Sequence, residues 1–138
     1  VATAVTAAET GHLVLSTLHT NTASQTVDRI IDSFPAESQD QIRYQLSSSL
    51  LGIFSQRLLP RIKGGLIPAY ELLINNTAIS NLIREKRTHE INSIIETGSE
   101  DGMIDFNRSL SELVRRGEIT PENAFQYSTN PRSLERMI

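Results

Sequence analysis

The chain contains no cysteine and no tryptophan. The first absence excludes disulfides, thiolate metal sites and cysteine nucleophiles. The second, with an aromatic content of only 5%, leaves Leu, Ile, Val and Ala to build the core. No apolar run approaches the ~20 residues that span a bilayer, and nothing at the start has the pattern of a secretory signal. No basic run exceeds a few residues and the net charge is −3, so the phosphate-backbone footprint of a nucleic-acid binder is missing. A methionine is also missing from the first position, which is Val1.

What remains is ordinary for a soluble globular chain: 138 residues, 38% apolar and 21% charged. That length predicts one domain, or one domain with a small appendage, and the composition suits the cytoplasm. The opening "VATAVTAAET" reads as an Ala-rich helix, and with Val1 first it predicts a piece cut from a longer chain. "HLVLSTL", residues 12–18, is a near-continuous apolar run of strand length, of the kind buried on both faces of a parallel sheet. Thr22 then caps a helix, and Gln25 completes a capping-box pattern. Val27, Ile30, Ile31 and Phe34 supply that helix's buried stripe. After Pro35 a longer helix is expected from near Ala36, with the stripe Ile42, Leu46, Leu50 and Ile53. "QRLLPRI", then Lys63-Gly64-Gly65, then "LIPAYELLI" predict two strands joined by a glycine turn. Pro60 and Pro68 make both strands edge-like.

From Asn75 onward the pattern is of short, separately punctuated helices. Their stripes are Ala78, Ile79, Leu82 and Ile83; then Ile91, Ile94 and Ile95, closed by Gly98 at C′; then Phe106, Leu110, Leu113 and Val114. Thr120-Pro121 and Asn130-Pro131 each read as an N-cap followed by proline at N1. Residues 1–74 therefore read as part of an α/β layer and residues 75–138 as a small all-helical bundle.

Two histidines bracket the "LVLSTL" run. On a strand, His12 and His19 would lie roughly 23 Å apart and on opposite faces, so they cannot share an ion, and no metal site is expected. His19 would stand at the carboxyl end of its strand, where ligands gather in open α/β sheets beside helix N-termini. Thr17, Thr20, Asn21 and Thr22 surround it with polar groups. It either meets a phosphate there or only caps the strand through a backbone carbonyl. His12, at the other end, is expected to be structural or interfacial, and His89 solvated.

"AAETGHLVLSTLHTN" followed by "DRIIDSFP" resembles the histidine box of the secretion-ATPase superfamily, which drives type II secretion and type IV pili. "AISNLIRE", residues 78–85, resembles the AIRNLIRE motif of the twitching-motility pilus-retraction ATPases, the PilT branch. "IIETGSEDGM" and the spacing to "LVRRGEIT" are similar to that branch as well. Two residues depart from it. Ser80 stands where the motif has arginine, and a serine can neither form its bidentate pairs nor carry its charge. Asn21 is closer to the assembly and secretion ATPases. No G-x-x-x-x-G-K-[ST] occurs, so neither a phosphate-cradling P-loop nor an acidic segment for Mg²⁺ is present. In the family both precede the histidine box.

The resemblance implies an α/β fold: the C-terminal part of a RecA-like P-loop ATPase domain, residues 1–74, followed by a helical domain, residues 75–138. It implies a share in a homo-hexameric motor that hydrolyses ATP with Mg²⁺ and powers pilus retraction. That motor would work on the cytoplasmic side of the inner membrane, against the pilus platform protein, without inserting into the membrane or binding nucleic acid. The histidine box is Thr10, Gly11, His12 and His19. Within it His19 is the candidate γ-phosphate sensor or coupling residue, with Thr17 and Thr20 orienting it. Ala78, Ile79, Asn81, Leu82, Ile83, Arg84 and Glu85 form the retraction motif, where Ala78, Ile79, Leu82 and Ile83 pack down and Asn81, Arg84 and Glu85 face outward. Alone, the chain is expected neither to bind nucleotide tightly nor to hydrolyse it. A pilus-assembly or type II secretion ATPase is the alternative within the superfamily. A stand-alone helical interaction module and a nucleic-acid accessory built on Arg84, Lys86 and Arg87 are the alternatives outside it.

Overall fold

The computed structural model describes residues 1–138. An Ala-rich helix α1 (Ala2–Glu9) opens the chain, followed by α2 (Ala23–Asp32) and α3 (Gln39–Ser49). The hairpin β1 (Gly52–Pro60) and β2 (Leu66–Ile74) comes next. Five short helices close the chain: α4 (Thr77–Arg84), α5 (Ile91–Glu96), α6 (Phe106–Arg115), α7 (Pro121–Tyr127) and α8 (Pro131–Glu135).

The local rules explain most of these boundaries. Thr22 accepts a hydrogen bond from the Gln25 backbone N–H at 3.1 Å, while Gln25 Oε1 accepts one from Asn21 N–H at 2.9 Å. This is the reciprocal capping expected at the start of α2. Asn76, Thr120 and Asn130 cap α4, α7 and α8 in the same way. The two strands pair antiparallel from Gly52 with Ile74 to Pro60 with Leu66. Gly64 and Gly65, both at positive φ, make the turn between them.

Three expectations are corrected. "HLVLSTL" forms no strand: residues 12–20 have no regular secondary structure and no ladder partners, and Leu13 and Leu15 are 76% and 87% exposed. A strand needs a neighbour to satisfy its backbone, and the only sheet here is the β1–β2 pair. Leu50 leaves the helical region (ψ 128°), so α3 stops at Ser49 and Ile53 falls on β1 rather than on a helix stripe. Gly98 follows α5 at φ −96°, outside the left-handed region. There the requirement is space, since a Cβ would lie 2.9 Å from the Ile94 carbonyl oxygen and 3.0 Å from Met103 Sδ.

The apolar residues gather into two clusters. The first joins Ala23, Val27 and Ile31 of α2, Ile42 and Leu46 of α3 and Leu73 of β2 to Ile79, Leu82 and Ile83 of α4, Ile91 and Ile95 of α5, and Met103. It draws on residues before and after position 74. The second sets Leu59, Ile67 and Ala69 of the hairpin against α6, α7 and α8. Leu73 serves the first cluster and Ala69 the second, so β2 is the strip on which both are assembled.

Side chains in the first cluster and those of residues 12–20 should respond oppositely to truncation. Ile83→Ala empties a fully buried site and is expected to cost about 2–5 kcal/mol of unfolding free energy. Leu15→Ser should stay within about 0.5 kcal/mol of the parent chain. Urea unfolding of the two variants checks the pair, and a loss at Leu15 comparable to that at Ile83 would show residues 12–20 to be packed.

Candidate functional site

The histidine box is built around the end of one helix and the beginning of the next. Gly11 N–H bonds the Ala8 carbonyl at 3.2 Å and His12 N–H bonds the Ala7 carbonyl at 3.1 Å. With Gly11 at φ +96°, this is a Schellman ending, which a side chain at position 11 would strain. Thr10 and His12 complete it. The Thr10 hydroxyl donates to the Ala7 carbonyl at 3.0 Å, and His12 Nδ1 lies 3.2 Å from that same oxygen. Thr10, Gly11 and His12 thus terminate α1.

His19 stands eight residues beyond Gly11, exposed, two positions before the Asn21–Thr22 cap of α2. The structure does not bring Thr17 or Thr20 to it. Thr17 is exposed. The Thr20 hydroxyl lies 2.6 Å from that of Thr26, which itself donates to the Thr22 carbonyl at 2.9 Å. Thr20 therefore fastens its own segment to the first turn of α2. A surface depression of about 420 Å³ is lined by Tyr70, Ile104, Arg108 and Glu112 among others and includes no histidine-box residue.

In the motif helix α4, Ile79, Leu82 and Ile83 are buried, and Asn81, Arg84 and Glu85 are exposed. Ala78 departs from the expected stripe: it is exposed, although Ile79 and Ser80 in the same first turn pack against the body of the protein. Arg84 is exposed but engaged. Its guanidinium bonds Asn81 Oδ1, reaches Ser47 Oγ at 3.3 Å and lies 5.7 Å from the centre of the Tyr44 ring. The Ser80 hydroxyl donates to the Ser47 carbonyl at 2.7 Å. In place of a guanidinium, position 80 thus offers a short tether to the C-terminal end of α3.

One group that sequence reasoning missed lies beneath both elements. Glu71 on β2 is 3% exposed, and its Oε1 accepts the backbone N–H of Ala23 at 2.9 Å. Burial pushes its pKa up, the Ala23 bond opposes that shift, and nearby Asp105 adds to it. Asp105 is itself raised, first by burial and then by Glu96; the N–H groups that open α6 oppose the shift without closing a cap hydrogen bond. Its Oδ2 is buried and unpartnered. A lone glutamate inside the run "LIPAYELLI" was the available signal, since an ionisable residue facing inward on a strand needs a partner.

With this geometry in hand, the class of protein is settled. Residues 1–99 match the type II/IV secretion system protein family, and the chain belongs to that family. Among individual relatives, a twitching motility protein of Neisseria gonorrhoeae is 48% identical over 132 residues, 95% of this chain and 35% of that protein. The type IV pilus retraction ATPase PilT of Pseudomonas aeruginosa is 45% identical over 131 residues, 95% of this chain and 38% of the relative. A crystal structure of the pilus retraction motor PilT with bound ADP superposes at a TM-score of 0.85 and 51% identity, covering 98% of this chain and 38% of that one. The chain thus spans little more than a third of the length of these relatives, and its α/β fold is that of the C-terminal part of their ATPase domain.

The buried carboxyls set a pH dependence of stability. Both Glu71 and Asp105 are held above their ordinary values, so in that window the folded chain keeps protons the unfolded chain has released. Each contribution is complete below the group's ordinary value, 4.5 for Glu71 and 3.8 for Asp105, and is lost as pH rises through the raised values. Glu71→Gln keeps an oxygen for Ala23 and removes the charge. Its melting temperature is expected to fall less than the parent's between pH 4.5 and pH 8. Parallel curves for the two proteins would assign the pH dependence elsewhere.

Proposed function

We propose that this chain works as the C-terminal portion of an ATP-driven motor of the secretion-ATPase superfamily that retracts type IV pili. The carrying observation is that 45–48% identity to a twitching motility protein and a pilus retraction ATPase extends over 95% of the chain, well past the histidine box and through the α4 motif. An assembly or secretion ATPase is the less favoured assignment, suggested by Asn21 alone.

In this motor, residues 1–74 complete the RecA-like ATPase core and residues 75–138 form the helical domain that carries the retraction motif. As the family resemblance implies, nucleotide and Mg²⁺ are held by a P-loop and an acidic segment, neither of which lies within these 138 residues. His19 is the residue this chain contributes to the phosphate, as sensor or coupling group. Its exposure beside the capped start of α2 suits that role. His12, fixed to the end of α1, sits nearer a subunit or domain contact. The assembled motor is a homo-hexamer on the cytoplasmic face of the inner membrane, working against the pilus platform protein. No helix of this chain is long and apolar enough to cross a membrane.

Two outcomes are expected. The purified 138-residue chain should show no Mg²⁺-dependent ATP turnover, and turnover by it would overturn the assignment of the catalytic groups to other segments. In the full-length motor, His19→Ala should lower kcat by about 10²-fold while leaving nucleotide affinity nearly unchanged, because a sensor acts on the transition state. Unchanged kcat with lost affinity would make His19 a ground-state binding residue.

A further inference from the structure

Helix α2 is the first regular element after His19, and it is tied to the chain on both sides of α4. Before α4, Glu71 on β2 accepts the Ala23 N–H at 2.9 Å. After α4, the contacts converge on one residue. The Ser24 hydroxyl donates to the Thr88 carbonyl at 2.8 Å, and the Thr88 hydroxyl donates to Asp28 Oδ1 at 2.6 Å. Thr88 is 8% exposed and lies just beyond the residues that resemble the retraction motif.

The spacing of the two α2 partners gives these contacts their mechanical character. Ser24 and Asp28 are four positions apart, so they lie on one face of the helix, a turn from each other. A single bond to Thr88 would permit pivoting. Two bonds, one to its carbonyl and one from its hydroxyl, oppose both rotation and sliding along the α2 axis. The bond to Asp28 carries a carboxylate acceptor and belongs to the stronger class. Between the two tethers, Val27 and Ile31 share a cluster with Ile79, Leu82 and Ile83 of α4. A shift of α2 relative to β2 or to the turn at Thr88 breaks a tether, and a shift relative to α4 disturbs the cluster the two helices share.

We propose that Thr88, gripped by Ser24 and Asp28, is a positioning residue that locks the helix following His19 to α4, so that displacement at the histidine segment reaches the motif helix as rigid-body motion. The proposal rests on the assignment of His19 and α4 to the motor. Thr88 touches no nucleotide and belongs to neither motif. Its loss should therefore spare hydrolysis and impair transmission.

The test uses the full-length motor with Thr88→Val, which keeps the shape and removes the hydroxyl, Ser24→Ala, and Thr88→Ser as the conservative rescue. ATP turnover is expected to stay within a factor of about two for all three. Retraction speed should fall by about five-fold or more in Thr88→Val and Ser24→Ala, within the usual range of coupling between sites, and recover in Thr88→Ser. Wild-type retraction speed in Thr88→Val, or turnover falling in step with retraction, would overturn the proposal. A second measurement needs no pilus: amide exchange of residues 83–86 with ADP and with a non-hydrolysable ATP analogue. The unmodified motor should show a nucleotide-dependent difference that Thr88→Val abolishes, and full retention of that difference overturns the clamp. If the unmodified motor fails to restore retraction in a strain lacking its retraction ATPase, the retraction assignment fails, and the exchange comparison still decides the clamp.

Discussion

The hydrogen bond from the Ala23 N–H to the buried carboxyl of Glu71 is the constraint on which the arrangement of the two motifs depends. It fixes the first residue of α2 to the strand that leads, through Asn75 and Asn76, into α4. A carboxyl acceptor suits that place because the start of a helix presents unpaired N–H groups and a partial positive charge. It has to be supplied from inside the protein, since Ala23 is completely buried and water cannot take over the bond. Once α2 is placed, Val27 and Ile31 join a cluster that also takes in Ile42 and Leu46 of α3, Ile79 and Ile83 of α4 and Ile91 and Ile95 of α5.

The placement separates two kinds of residue within the histidine box. Thr10, Gly11 and His12 end α1 through local bonds that any helix of this type could use. His19 makes no such bond, and the threonines near it are occupied elsewhere, Thr20 with Thr26. The motif helix shows a comparable division. Its buried side chains anchor it, while Arg84, engaged by Ser47, Asn81 and Tyr44, ties it to α3 as well as facing outward.

Local features were legible in the sequence because local physics decides them. The capping box at Thr22, the glycine turn of the hairpin, the Thr120-Pro121 and Asn130-Pro131 starts, and the stripes of α2 and α4 follow from spacing and residue type alone. Long-range features were not. "HLVLSTL" has the composition of a buried strand, but a strand exists only with a partner, and none pairs with residues 12–20. Ala78 belongs to the periodic stripe of its helix yet is exposed beside buried Ile79. Glu71 was missed because its partner, Ala23, is 48 positions away in the chain. Thr88 was missed for the same reason, with partners 60 and 64 positions away. The identity of the motifs came from resemblance, which periodicity could not have provided.

The central claim is that α2 and α4 form one packed unit across the intervening hairpin. Native-state hydrogen exchange tests it directly, since amides that open together share one opening free energy. The account predicts that the Val27 and Ile31 amides of α2 exchange with the same opening free energy and the same denaturant dependence as those of Leu82 and Ile83 in α4, while residues 13–18 exchange freely. If α2 instead opened at a much lower free energy than α4, with its own denaturant dependence, the two helices would be separate units and the account would be contradicted.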